Sequence, residues 1–283
     1  MSIKNSLVSA LAMILAAGLH NQALADASSP WTPGDENSEL TLRLSTQSAT
    51  KFFAGKAEMN LPGKLSQDTY TLEYSYGISD QLALDARIGY TKSSFLVVPG
   101  LAPNGGLSGF ADSRLGLRYN LTGAEDDLPT ITFGLAALLR GSYDTGALSA
   151  VGDGKSGFEV SALIGHAFES GFLLSGGVQR RQFGGAVPEE LLLTLGAGYA
   201  FNDRASVGAF YQDVTSNGKL DIGGPGFSPA RFPEVDEEFS LFGVGGSLSL
   251  SDEWALGVDF GRKNTGKNTA KSKFASLAIT YLF

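Results

Sequence analysis

From about residue 38 to its last residue, the 283-residue chain divides into twelve segments in which apolar residues alternate with small or polar ones. The segments run over 38–48, 67–77, 82–92, 110–121, 130–141, 157–168, 171–183, 190–201, 205–215, 239–250, 254–263 and 273–283. Leu82, Leu84, Ala86, Ile88 and Tyr90 oppose Ala83, Asp85, Arg87 and Gly89; Leu191, Leu193, Leu195, Ala197 and Tyr199 oppose Thr194, Gly196 and Gly198. A period of two specifies strands with different surroundings on their two faces. Each segment is close to the roughly 10 residues that a tilted membrane-crossing strand needs.

The connections test this division independently. The short ones, Gly77–Gln81, Thr122–Pro129, Glu169-Ser170, Asn202–Arg204 and Ser251–Glu253, follow every second strand, and the longer ones, Ser93–Gly109, Tyr143–Ser156 and Asn217–Glu238, fall on the opposite parity. Barrels in bacterial outer membranes have short periplasmic turns and longer outer loops. One face carries Leu, Val, Ile, Phe and Tyr, and the other Gly, Ser, Thr and charges. A soluble sandwich or lipocalin-like barrel would be polar outside, so the pattern predicts an all-β, transmembrane, antiparallel up-and-down barrel of about 12 strands, with ten or fourteen as the alternatives.

The two ends agree. Residues 1–25 read as a secretory signal peptide: Lys4 in the n-region, an apolar stretch from Ser6 to Leu19, and Ala23-Leu24-Ala25 before the cut. The barrel then occupies 26–283, with 26–37 a polar periplasmic lead-in. At the other end Leu277, Ile279, Tyr281 and Phe283 share one face. They resemble the C-terminal assembly signal of outer-membrane β-barrels, which implies the barrel-assembly machinery, outer-membrane lipid and lipopolysaccharide as partners and the bacterial outer membrane as location. The chain has no Cys, and its net charge of −8 offers no basic surface for nucleic acid.

Turning the polar face inward gathers Arg43, Glu73, Asp85, Arg87, Asp112, Arg114, Arg118, Arg140, Glu159, Gln179, Arg181 and Asp259 as pore-lining candidates. Both signs interleave. Glu73, Asp85 and Arg87 flank one short turn, within cross-strand reach; Asp112 and Arg114 share a face with Arg140 reachable from the next strand. Twelve strands ~4.8 Å apart and tilted ~40° close at a backbone radius of roughly 12 Å. A few arginines or one folded-in loop suffices to block the remaining space, so the charges either pair and fill the barrel or form a selective constriction. The connection Ser94–Pro103 is apolar enough to enter the mouth, or else it continues the third strand above the membrane. Glu234, Asp236, Glu237 and Glu238 in the Pro/Gly-rich loop before residue 239 read as a solvated acidic run, with divalent-cation binding as the alternative.

Catalysis finds little to stand on. Only two histidines occur; His20 lies in the signal peptide, and His166 sits two residues before a short periplasmic turn without a Ser two residues after it. Gly152-Asp-Gly-Lys-Ser156 fails as a phosphate loop because Ser149 stands where the first Gly is required. No metal site of the usual Cys/His kind and no cofactor is expected.

Two stretches, Tyr74–Tyr90 and Gly109-Phe-Ala-Asp-Ser-Arg-Leu-Gly-Leu-Arg-Tyr-Asn-Leu121, are familiar. The second resembles the G-x-x-D-x-x-L-G-L-K/R-Y strand of the family of barrels named for the meta-pathway of phenol degradation, described as transporters. The resemblance implies passage of small, aromatic or hydrophobic molecules and supplies no binding residues. The reading is therefore a channel for passive movement of a small-molecule solute, not an enzyme. A closed structural or surface-interaction barrel is the alternative, and a hydrolase at the rim the third.

Overall fold

The structure is a computed structural model that describes residues 29–99, 102–122 and 128–283. The signal-peptide segment lies outside them. The described strand segments are β1 (Ser38–Ala54), β2 (Ala57–Gly77), β3 (Leu82–Ser94), β4 (Ser108–Phe110), β5 (Ser113–Asn120), β6 (Thr130–Leu139), β7 (Gly157–Ala167), β8 (Phe172–Phe183), β9 (Glu190–Ala200), β10 (Ala205–Ser216), β11 (Glu238–Ser249), β12 (Trp254–Lys267) and β13 (Lys273–Leu282). Apart from β4 and β5, which do not pair with each other, they pair antiparallel with their sequence neighbours. β4 and β5 both pair with β3, so they are one stave broken at Ala111 and Asp112, and the wall has twelve staves.

The wall closes where β1 meets β13. Leu40 lies opposite Tyr281, Leu42 opposite Ile279 and Leu44 opposite Leu277, the pairing that the terminal alternation implies. Inside the seam the Thr41 and Thr280 hydroxyls hydrogen-bond at 2.8 Å. Ser38 and Phe283 exchange backbone bonds at 2.7 and 3.0 Å, so the last residue is tied into the sheet. Closure leaves no unpaired edge in the hydrocarbon.

The outward face is apolar along its length, with Leu42, Leu72, Ile88, Leu117, Leu135, Ile164, Leu195 and Leu277 all exposed. Aromatic side chains ring the end that carries the short turns. Trp254 packs on Tyr281 at 4.7 Å and Tyr281 on Phe283 at 5.2 Å; Phe172 meets Tyr199 at 4.9 Å and Tyr199 meets Phe201 at 5.3 Å. Rings of this kind settle at the membrane–water boundary. His166 joins them, edge-on to Phe168 at 4.3 Å on the outer face.

The first outer connection departs from expectation. Residues 49–66, left between strands by the sequence pattern, extend the first hairpin: β1 and β2 continue pairing from Lys51 opposite Asn60 to Ala54 opposite Ala57, past a register shift at Ala49. At 17 and 21 residues these strands stand well above any bilayer. Asn268, at a left-handed φ of 52°, ties their tip to the neighbouring loops. Its Oδ1 accepts from Gly55 and Ile222 N–H, and its Nδ2 donates to Asp221 and to the Asp236 carbonyl.

One part of the interior is apolar. Phe210, Leu241 and Phe274 point inward and are buried together, with the two rings 6.2 Å apart. Gly243 makes room for them, since a Cβ there would lie 2.2 Å from the Phe210 ring. Gly243→Ala is therefore expected to lower stability by about 1–3 kcal/mol in urea unfolding from detergent micelles. Adding Phe210→Leu in the same chain recovers most of that loss.

Candidate functional site

The lumen is organised in three levels. At the short-turn end, Arg118 on β5 is buried and uses all five of its donors. Its Nε and Nη2 grip both oxygens of Asp85 on β3, at 2.6 and 2.7 Å, and Nη2 also reaches the Ser75 hydroxyl at 3.0 Å. The remaining two donors, on Nη1, bond the carbonyls of Ser29 and Trp31 at 2.6 and 2.8 Å. The lead-in thus does not hang free below the barrel: residues 29–33 enter it. The Thr132 hydroxyl bonds the Pro30 carbonyl at 2.5 Å, and Trp31 packs, as does Ala167, against the buried Leu173 and Ala200. Gly165 permits this, because a Cβ there would strike Pro30 and Trp31 at 2.6–2.7 Å.

At mid-height the charges form two clusters. Glu159 on β7 receives Arg114 Nε at 3.0 Å and Arg181 Nε at 2.9 Å; Arg181 continues to Glu190 at 3.5 Å. Arg114 reaches Glu159 across the intervening β6 because the inward residues Gly134 and Ala136 are small. Arg87 stands in register between Glu73 and Arg114. In the second cluster Arg43 lies 3.4 Å from Glu73 and 3.8 Å from Asp259, which also accepts the Ser276 hydroxyl at 2.7 Å. The Gln179 side chain, wholly buried on β8, has both amide atoms without a hydrogen-bond partner among the described residues, and Gln212 Oε1 on β10 is in the same position.

Beyond the cross-strand neighbours that the sequence brings together, Asp85 pairs with Arg118 and Glu73 with Arg43. Asp112 accepts the Tyr143 hydroxyl at 2.5 Å and the Gly141 N–H at 2.8 Å, while Arg114 turns to Glu159. Arg140 is exposed at the end of β6, near the mouth.

Above the ion pairs lies a cavity of about 300 Å³, roofed by residues 146–153 of the β6–β7 connection and by Phe232, Pro233 and Val235 of the β10–β11 connection. Its wall mixes Phe52, Leu65 and Val187 with Gln47, Gln67, Glu190, Glu237 and Lys263. The roof is held by polar contacts. Ser149 Oγ bonds the Gly105 carbonyl at 2.5 Å, Ser93 Oγ bonds the Ser149 carbonyl at 2.7 Å, and Gly154 N–H bonds the Tyr143 hydroxyl at 3.0 Å. Asp153 lines this cavity at its roofed end. Its surroundings strip hydration from the carboxyl, and the charges of Glu237, Glu190 and Asp112 add to that; its pKa is raised well above the usual range.

The two connections that composition left ambiguous resolve simply. Leu96 packs against Gly63 of the extended β2, so the described part of the apolar segment after β3 lies along that hairpin. The acidic run is occupied by cations of its own chain: Glu234 by Arg231 at 2.6 Å, Glu237 by Lys263 at 3.3 Å and Asp236 by Lys267. Among the described residues no cluster of His, Asp and Glu is arranged to hold a metal.

Sequence reasoning missed the anchored lead-in and the Phe210 cluster. A signal for the first was present, because Pro30-Trp31 puts a large ring and a rigid turn in a stretch otherwise read as solvated.

A closed wall of twelve apolar-out staves around a charged lumen defines an outer-membrane-type β-barrel. The chain belongs to the family described as "Putative MetA-pathway of phenol degradation", which matches residues 43–279. No curated protein sequence matches it. Among solved structures, the COG4313 outer membrane channel from Pseudomonas putida F1 is similar at a TM-score of 0.73 and 13% identity, over 92% of this chain and 100% of that one. The translocator domain of the autotransporter NalP from Neisseria meningitidis reaches 0.51 at 12% identity, over 98% and 97%. The NanC porin also reaches 0.51, at 9% identity, over 86% and 98%. At these identities the likeness concerns the fold.

Two outcomes are expected from this geometry. Arg118→Met frees the lead-in, so in a Trp254→Phe background Trp31 emission shifts to the red and becomes quenchable by acrylamide. The same change costs about 3–5 kcal/mol by stranding Asp85. Asp85→Asn added to it restores stability but not the anchor. The second outcome concerns Asp153. Because its folded pKa lies above the unfolded value, the roof is most stable below the unfolded pKa and loses stability as pH rises through the raised one. A spin label on Ala150→Cys, unique in a chain without Cys, becomes mobile on alkalinisation. Asp153→Asn abolishes that response.

Proposed function

We propose that this protein is an outer-membrane channel for passive movement of small solutes, closed in the present state by segments that are separate from its wall. The carrying observation is what does the closing. Below, the obstruction is residues 29–33, held through two carbonyls to Arg118; above, it is two loops held by hydroxyl and carbonyl contacts. None of these belongs to the hydrogen-bonded wall, so each can withdraw with the barrel intact. The unmatched amides of Gln179 and Gln212 support a lumen that water or solute enters, since buried polar groups are ordinarily met by one or the other.

The cleaved signal peptide, the periplasmic side of the short turns and contact with outer-leaflet lipopolysaccharide are parts of the same reading. So is the lining role of the twelve inward candidates. The family's description ties it to phenol degradation, and a cavity that offers Phe52 and Phe232 beside Gln47 and Lys263 suits a single aromatic ring bearing a polar group. Movement is down a gradient. Transport is favoured over rim hydrolysis because His166 stands on the lipid-facing wall, at the end opposite the roofed cavity.

The closed-barrel alternative has its own support in the pairing of Asp85, Glu159 and Asp259 with arginines. Reconstitution decides between them. Wild-type protein in planar bilayers is expected to show small or brief conductance, and in-frame deletion of residues 29–33 to raise it several-fold, with matching uptake of a phenol into liposomes. Folded barrels that pass neither ions nor phenol, with or without the deletion, would sink the channel.

A further inference from the structure

Most charges on the outer face of the barrel come with a counter-charge. Parity puts Lys92 of β3, Arg180 of β8, Arg262 of β12 and Lys273 of β13 outward. Lys92 lies in register with Asp68, and Arg180 is 2.6 Å from Glu189. Arg262 and Lys273 instead face each other directly across β12 and β13, both exposed. Their other neighbours in the same row are Phe242 and Ser48, which carry no charge. Glu58, nearer the tip of the first hairpin, is already held between Lys51 at 2.6 Å and Lys271 at 2.5 Å, a cluster that is itself net positive. On the flank, Asp213 is engaged by the Tyr211 hydroxyl at 3.1 Å.

Like charges directly opposite in a sheet repel, so this pair weakens the wall it belongs to unless an anion is placed between them. Height identifies the anion. Eight residues separate Arg262 from Trp254 and Lys273 from Tyr281, which puts both about 20 Å above the aromatic ring of the short-turn end. That is the upper margin of an apolar band about 25 Å tall, where long cationic side chains extend into the headgroups. Below them the wall offers exposed Phe260 and Leu277 to acyl chains.

We propose that Arg262 and Lys273 bind a phosphate monoester of the outer-leaflet glycolipid, the phosphorylated glucosamine of lipid A. A monoester carries close to two negative charges at neutral pH, matching two cations, whereas the diester of a phospholipid carries one. The assignment rests on the outer-membrane placement proposed above and is independent of channel activity.

Native mass spectrometry of the folded, full-length protein in detergent tests it, with bisphosphorylated lipid A, its dephosphorylated analogue and phosphatidylglycerol as probes. Bisphosphorylated lipid A is expected to bind about tenfold tighter than either alternative. Lys273→Glu pairs with Arg262, so the barrel stays folded, as heat-modifiable gel mobility reports, but the preference disappears. Lys92→Ala leaves it unchanged. Undiminished preference in Lys273→Glu or in the Arg262→Gln/Lys273→Gln double variant overturns the site, as does equal binding of the dephosphorylated lipid. Full displacement by millimolar inorganic phosphate overturns the lipid assignment in favour of a free-anion site. Failure to insert into liposomes at all would instead locate the error in the membrane placement.

Discussion

Lipid offers no partner for a backbone N–H or C=O, so every strand in the wall must find both neighbours, and the structure depends on the one junction that sequence adjacency does not supply. That junction is β1 against β13, in register from Glu39 opposite Leu282 to Ser48 opposite Lys273. A slip of one residue there would turn Leu42 and Leu44 into the lumen and Arg43 into hydrocarbon. The Thr41–Thr280 hydroxyl contact and the Ser38–Phe283 backbone pair oppose such a slip from the inside and from the end. Once the seam is fixed, the inward or outward sense of the remaining strands follows from their turns.

A wall with that sense encloses charge. Buried ion pairs add little net stability, because the desolvation of two ions roughly cancels their attraction, yet breaking one strands its partner at high cost. The lumen pairs therefore act chiefly as specification. Glu159 joins β7 to β8 and, across β6, to β5; Arg43 joins β1 to β2 and, across β13, to β12, so each cluster also fixes the cross-section between two staves that share no backbone bonds. Arg118 differs from the others. It directs donors to chain outside the wall, the carbonyls of Ser29 and Trp31.

This difference marks where sequence stops being informative. Period-two alternation is a local property, so the twelve staves and the seam could be read directly. Partner choice could not, because Arg114 reaches Glu159 over β6 and Arg43 reaches Asp259 past β13, distances set by barrel curvature and by small residues such as Ala136. The extended hairpin was hidden for another reason: Pro62 and Gly63 read as loop, and pairing from Lys51 to Ala57 overrides them. The lead-in looked solvated because its carbonyls, which are what Arg118 binds, are common to every sequence.

The two closures also differ in the way they can yield. The lower one is a terminal segment, fastened by neutral carbonyls to a guanidinium whose charge is already balanced by Asp85, so its departure leaves the Arg118–Asp85 pair and the wall intact. The upper one sets Asp153 near Glu237, Glu190 and Asp112 under a roof of hydroxyl–carbonyl bonds, so ionising that carboxyl works against it. Between them the Arg114–Glu159–Arg181 layer has every charge shared by two strands and little freedom to withdraw. That layer fixes the cross-section of the lumen, whereas the lead-in and the roof are held by contacts that lie outside the wall.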